Sequence, residues 1–131
     1  MKTILLDTNF LLIPGQFNVD IFAEIDRICD FEHEIAVAEV SLQELRKVMV
    51  QGSGRDKAAA KLGLELLEHK RVKILESPQK VFKGVDDFLL AIAAEKGFIV
   101  ATADRELRKR LKEAGVPVIV LRQKQHLQLL R

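Results

Sequence analysis

The sequence predicts an α/β fold, a three-layer sandwich with a central, mainly parallel sheet. Three observations carry that expectation. Residues 2–6, 34–38, 98–101 and 116–121 contain short apolar runs of Val, Ile, Leu and Ala with little alternation, which mark strands covered on both faces. Helical periodicity fills most of the intervals between them, so strand and helix alternate along the chain. Finally, 131 residues with 48% hydrophobic and 31% charged content make one core of ordinary size, not two.

The first strand, KTILL (2–6), stops at the polar turn Asp7-Thr8-Asn9, and Pro14-Gly15 breaks the stretch after it. Asn18 or Asp20 then caps a helix whose apolar face is Val19, Phe22, Ile25, Ile28 and Cys29. After the strand at 34–38, Ser41 and Glu44 have capping-box spacing ahead of Leu45, Val48 and Met49. Gly52-Ser53-Gly54 separates this helix from another at 55–69, with Ala58, Leu62, Leu66 and Leu67 on its apolar side. A strand at 72–75 closes at Ser77-Pro78. A helix at 86–96 ends at Gly97, strand FIVA (98–101) follows, and residues 102–104 open a charged helix ending at Gly115. The last expected strand lies within 116–121. Residues 1–121 form the expected domain, and 122–131 a tail that belongs to it, contacts a partner or frays.

Composition narrows the chemistry. One cysteine, Cys29, excludes an internal disulfide framework and a thiolate zinc cluster. His33, His69 and His126 are far apart and share no metal-ligand spacing. No apolar run reaches the roughly 20 residues of a membrane span, and MKTILL is too short an apolar block for a signal peptide, so a cytoplasmic location away from membranes is expected. The net charge of +2 conceals a division: residues 105–131 carry +6 and residues 1–104 carry −4. A basic C-terminal quarter suits an anionic partner, though a solvated helix face and tail would have the same composition.

The chemistry that remains is carboxylate chemistry. Asp7 follows the first strand, Glu44 lies in the first turn of the helix after the second, Asp86 and Asp87 open the helix leading to FIVA, and Asp104 follows FIVA. Helix starts after parallel strands share one edge of such a sheet. Singly, each acid has a structural explanation as a helix cap, a first-turn acid facing the helix dipole or an Asx turn. Gathered together they repel one another unless a cation is present, and oxygen-only ligands suit Mg²⁺ or Mn²⁺ better than zinc.

Four blocks, LLDTNFLL (5–12), SLQELRK (41–47), VDDFLLAIAAEKG (85–97) and IVATADRELRKRL (99–111), together resemble PIN-domain ribonucleases, in the family's order and over residues 4–121. DTNFLL, the VDDFLL pair, IVAT-x-D-R-x-L and GVPVIVLR look more like archaeal relatives of ribosome-processing PIN proteins than like VapC-type toxins. The resemblance implies an Mg²⁺- or Mn²⁺-dependent endoribonuclease that leaves a 5′-phosphate and a 3′-hydroxyl. It assigns the acids to Asp7, Glu44 and Asp104, with Asp86 preferred to Asp87 as the remaining one. Thr8, Asn9 and Thr102 become supporting polar groups, and Lys47, Arg105, Arg108 and Lys109 candidates for holding RNA phosphates. An antitoxin or RNA-processing protein is an implied partner, and homodimerisation is left open. The chief rival is an RNA-binding or scaffold domain of the same fold with weak catalysis. An Asp-x-Asp phosphatase is disfavoured because residue 9 is Asn, and no P-loop or GxGxxG supports nucleotide binding.

Overall fold

The computed structural model describes residues 1–76, 84–95 and 97–131. Six strands form one sheet: β1 (Lys2–Leu6), β2 (His33–Ala38), β3 (Lys73–Leu75), β4 (Phe98–Ala101), β5 (Val118–Arg122) and β6 (His126–Leu130). Their spatial order is β3-β2-β1-β4-β5-β6, parallel throughout except for the antiparallel β5–β6 pair. The expected α/β class and mainly parallel sheet are therefore what the chain adopts. Six α-helices cover the sheet: α1 (Ile13–Phe17), α2 (Ile21–Ile28), α3 (Glu39–Gln51), α4 (Gly54–His69), α5 (Val85–Ala93) and α6 (Arg105–Glu113).

Strand pleating sends alternate residues to opposite layers. Ile4 and Leu6 join Val37, Ile99 and Ile119 under α1–α4, while Leu5 joins Ala36, Val100 and Val118 under α5 and α6. Both faces of the central strands are dry, which is why their sequences do not alternate. From β1 the chain winds outward through β2 to β3, then returns to β4 on the other side of β1. The sheet's topological switch point thus lies between β1 and β4, where open α/β sheets place their functional crevices.

Several local expectations give way to packing. Pro14 does not break the chain: it sits in the first turn of α1, where a missing N–H costs nothing, and a 3-10 turn at Asn9–Leu12 precedes it. The capping box at Ser41 is also absent. Helix α3 begins three residues earlier, with Ala38 at its cap, so Ser41 is buried inside the helix and Glu44 stands exposed in the second turn. The buried face of α4 is Ala59, Ala60, Gly63 and Leu67, leaving Ala58 and Leu62 exposed. Small residues prevail there because backbone meets backbone. A β-carbon on Gly63 would lie 2.5 Å from the Leu11 carbonyl oxygen, and one on Gly15 would lie 2.5 Å from the Ala59 Cα. Helix α5 ends at Ala93, short of the expected end at Lys96, because Ala94 caps it and the Glu95 N–H turns back to the Ile92 carbonyl at 3.0 Å; the strand closure at Ser77-Pro78 lies outside the described residues.

Strand β5 is not the last strand. Residues 122–131 turn back and add β6, with Leu127 buried. Gln123 (φ 54°) and Lys124 (φ 56°) build the left-handed turn, closed by the Gln125 N–H donating to the Arg122 carbonyl at 3.0 Å. Glu24 of α2 fastens the returning strand, accepting from the Leu127 N–H at 2.9 Å and from Arg27 at 2.8 and 3.0 Å. These donors hold its carboxyl at about 2, below the ordinary 4.5.

Candidate active site

Asp7 leaves β1 at the switch point and is only 4% exposed. The end of β4 helps hold it: its N–H donates to the Ala101 carbonyl at 2.9 Å. Its Oδ1 accepts from the Thr8 N–H and its Oδ2 from the Thr102 hydroxyl, each at 2.8 Å. Thr102, also buried, accepts the Asp104 N–H at 3.0 Å on the same oxygen, so one hydroxyl links both strand ends. Burial pushes the Asp7 carboxyl from 3.8 up to about 6. The two hydrogen bonds pull it down, while the charges of Asp86 and Glu44 push it further up.

Asp104 caps α6, its Oδ1 accepting from the Glu106 N–H at 2.9 Å and the Leu107 N–H at 3.1 Å. Asp86 and Asp87 share the first turn of α5 but diverge. Asp87 accepts from Arg110 of α6 at 2.8 Å, which braces α5 against α6. Asp86 faces the other acids: burial raises its carboxyl, the charges of Asp104 and Asp87 add to the rise, and Arg110 opposes it. Adjacent helical residues project about 100° apart, so one serves the brace and the other the acidic edge. The fold therefore places Asp86 within the fields of both Asp7 and Asp104, and Glu44, in the second turn of α3, within the field of Asp7.

Among the described residues, no three His, Cys, Asp or Glu side chains are grouped tightly enough to form a ready cage around one ion. The donors nevertheless suit a hard cation. They are all oxygens, burial and like charges raise the carboxyls of Asp7 and Asp86, and the buried Thr8 Oγ1 and Ser41 Oγ have no hydrogen-bond partner among the described residues. Mg²⁺ in particular binds through one or two carboxylates and keeps several waters, so an open arrangement fits it.

With this geometry in place, comparison with known proteins gives the assignment. Residues 4–124 match the family model described as a PIN-like domain. The chain belongs to that family. Ribonuclease VapC4 of Methanocaldococcus jannaschii is 29% identical over 130 residues, covering 98% of this chain and 97% of that one. Ribonuclease VapC9 of Archaeoglobus fulgidus is 32% identical over 123 residues, 94% of this chain and 85% of that one. The solved structure of the PIN-domain endonuclease Utp24 superposes with a TM-score of 0.77 at 20% identity, over 97% of this chain and 90% of that one. A domain of a functionally unknown Methanocaldococcus jannaschii protein gives 0.60 at 19%, over 93% and 92%. Both archaeal relatives carry VapC names, whereas the motifs had leaned toward the ribosome-processing branch. The likeness to Utp24 concerns the fold alone.

Of the remaining PIN-domain candidates, Asn9 is exposed in the 3-10 turn and Lys47 is exposed on α3. Arg105, Arg108 and Lys109 line an open groove of about 810 Å³ beside α6, together with Lys112, Arg122 and Arg131. Sequence reasoning missed those last three and Arg110. The i, i+3, i+4, i+7 spacing of residues 105, 108, 109 and 112 was a legible signal of one helical face. Arg122 and Arg131 joined it only through the unforeseen hairpin.

Proposed function

We propose that this PIN-domain protein is a metal-dependent endoribonuclease that hydrolyses RNA phosphodiesters in the cytoplasm. Asp7, Glu44, Asp86 and Asp104 would hold one or two Mg²⁺ or Mn²⁺ ions, directly or through water. The observation that carries the reading is the buried Asp7 carboxyl, fixed at both oxygens and raised to about 6 at the switch point, with the charges of Asp86 and Glu44 acting on it and Asp104 joined to it through the Thr102 hydroxyl. Burial of an acid among like charges is costly, and a divalent cation relieves that cost.

When bound, such a cation activates a water and screens the charge of the phosphodiester under attack. The chain's own residues supply the rest. Thr8 and Thr102 fix the Asp7 carboxylate, Arg110 holds Asp87 aside so that Asp86 faces the edge, and the Asp104 cap anchors the start of α6. Arg105, Arg108, Lys109 and Lys47 hold flanking phosphates, giving salt-sensitive binding with little base readout.

The names of the two archaeal relatives favour a toxin of a toxin–antitoxin pair over an RNA-processing role. A small antitoxin-like gene immediately upstream would support the toxin setting, and its absence the processing one. The activity itself is tested by incubating purified protein with single-stranded RNA. Cutting is expected with Mg²⁺ or Mn²⁺ and none with EDTA, and Mn²⁺ should raise the melting temperature. Persistent cutting in EDTA overturns the mechanism. Absence of both cutting and Mn²⁺-dependent stabilisation favours a non-catalytic scaffold.

A further inference from the structure

The groove beside α6 has a direction. Helix α6 starts at the acidic edge and runs to the opposite edge of the sheet, and β5 runs back alongside it. Six cations therefore mark the groove from one edge to the other: Arg105 and Arg122 at the acidic edge, Arg108 and Lys109 between, Lys112 and Arg131 at the far end. Among the described residues no acid lines it, and its floor is aliphatic, formed by Val116, Val118 and Leu130. Among the described residues no ion pair neutralises any of the six. Arg122 donates to Gln128 at 2.9 Å, and the Arg131 guanidinium lies over the Phe31 ring at 5.9 Å. Arg110, one position off this face, is the α6 cation that spends its charge on an acid.

We propose that this groove is the track along which a single RNA strand runs away from the catalytic edge, held by consecutive phosphates. The inference rests on the ribonuclease reading above and adds a footprint to it. Five residues of β5 span about 16 Å, room for contacts well beyond the nucleotides at the cut. Charge complementarity selects a polyanion, and continuity with Asp104 through Arg105 selects the strand being cut. The chain has no Trp or Tyr, and among the described residues no Phe lines the groove, so bases rest on aliphatic side chains. The track therefore reads backbone rather than sequence.

The test uses fluorescein-labelled oligouridylates of four and ten nucleotides, bound by anisotropy in EDTA so that no cutting occurs. The wild-type decamer should show a steeper salt dependence than the tetramer by about 1.4 in log–log slope, corresponding to two added phosphate contacts at about 0.7 each. Lys112→Glu/Arg131→Glu should remove that difference and weaken decamer binding at least tenfold. Lys57→Glu/Lys61→Glu, exposed on α4, should change it less than twofold. Should the double variant fold poorly by circular dichroism, the wild-type slopes and Lys112→Gln decide instead, the latter lowering the decamer slope by about 0.7. Equal slopes for the two lengths overturn the track, as does stronger competition by deca-glutamate than by decauridylate, which would make the occupant an acidic peptide. A wild-type protein that binds as expected but cuts no RNA with Mn²⁺ sinks the ribonuclease reading and leaves the groove's RNA contacts standing. A protein that cuts, with equal slopes, does the reverse.

Discussion

The acidic edge and the basic groove meet at the first turn of α6, yet they hold charge in opposite ways. At the edge, a single carboxylate is buried, fixed through both oxygens and held up to about 6. In the groove, six cations lie along an open channel. Concentrated charge makes a site sensitive to one atom, whereas dispersed charge spreads the effect of any loss over many weak contacts. Substitutions should therefore produce large, all-or-none effects at the edge and small, graded ones in the groove.

The largest effect is expected for Asp7→Asn. Removing the central anionic ligand should lower RNA cleavage by about three orders of magnitude, measured with Mn²⁺ at pH 8. The same change should stabilise the metal-free protein. An acid with a folded pKa above its unfolded one binds more protons when folded, so Asp7 opposes folding progressively as pH rises from about 4 to about 6, and fully above that. The shift from 3.8 to about 6 corresponds to order 3 kcal/mol. Asp7→Asn should thus raise metal-free stability at pH 8 by about 1–3 kcal/mol in urea titrations and leave pH 4 nearly unchanged. Loss of stability at pH 8 would mean that the carboxylate is needed structurally.

Wild-type metal affinity should rise about tenfold per pH unit below about 6 and level off above it, because cation and proton compete for Asp7. Calorimetry with Mn²⁺ between pH 5 and 8 measures this. Next comes the pair on α5. Asp86→Asn should cost about 100-fold in activity, and Asp87→Asn under tenfold, since its charge serves Arg110. Equal losses would break the division of labour between them. Smallest in stability is Asp104→Asn, since Asn caps as well as Asp; a change within about 0.5 kcal/mol should accompany a clear drop in cutting.

The comparison also shows what the sequence made legible. Asp7 and Asp104 were readable because each follows an unalternating apolar strand, and strand ends in a parallel sheet converge by topology. Glu44 is near enough for its charge to act on Asp7, but it stands in the second turn of α3 and not the first. The Ser41–Glu44 spacing imitates a capping box, and only burial of Ala38 and Ser41 against the sheet starts α3 earlier. The different surroundings of Asp86 and Asp87 depend on Arg110, twenty-three residues from Asp87 and invisible to local pattern. The hairpin to β6 was unreadable for a different reason. Its left-handed positions are occupied by Gln123 and Lys124, not by the Asn or Gly that announce such turns, and it is held from outside by Glu24.

Gly63 touches no acid, yet it sets where one can stand. Its Cα rests against the Leu11 carbonyl with no room for a methyl group. Leu11 belongs to the 3-10 turn whose first bonds run back to Asp7 and Thr8, the Phe10 and Leu11 N–H groups donating to their carbonyls at 3.1 Å. Helix α4 therefore works as a machinist's stop: two backbones in contact, with no flexible side chain to absorb an error, fix the seat of the strand end a few residues away. Adding one carbon atom at position 63 would be felt as a displacement, and the tolerance of the acidic edge to distant change is the width of that missing methyl.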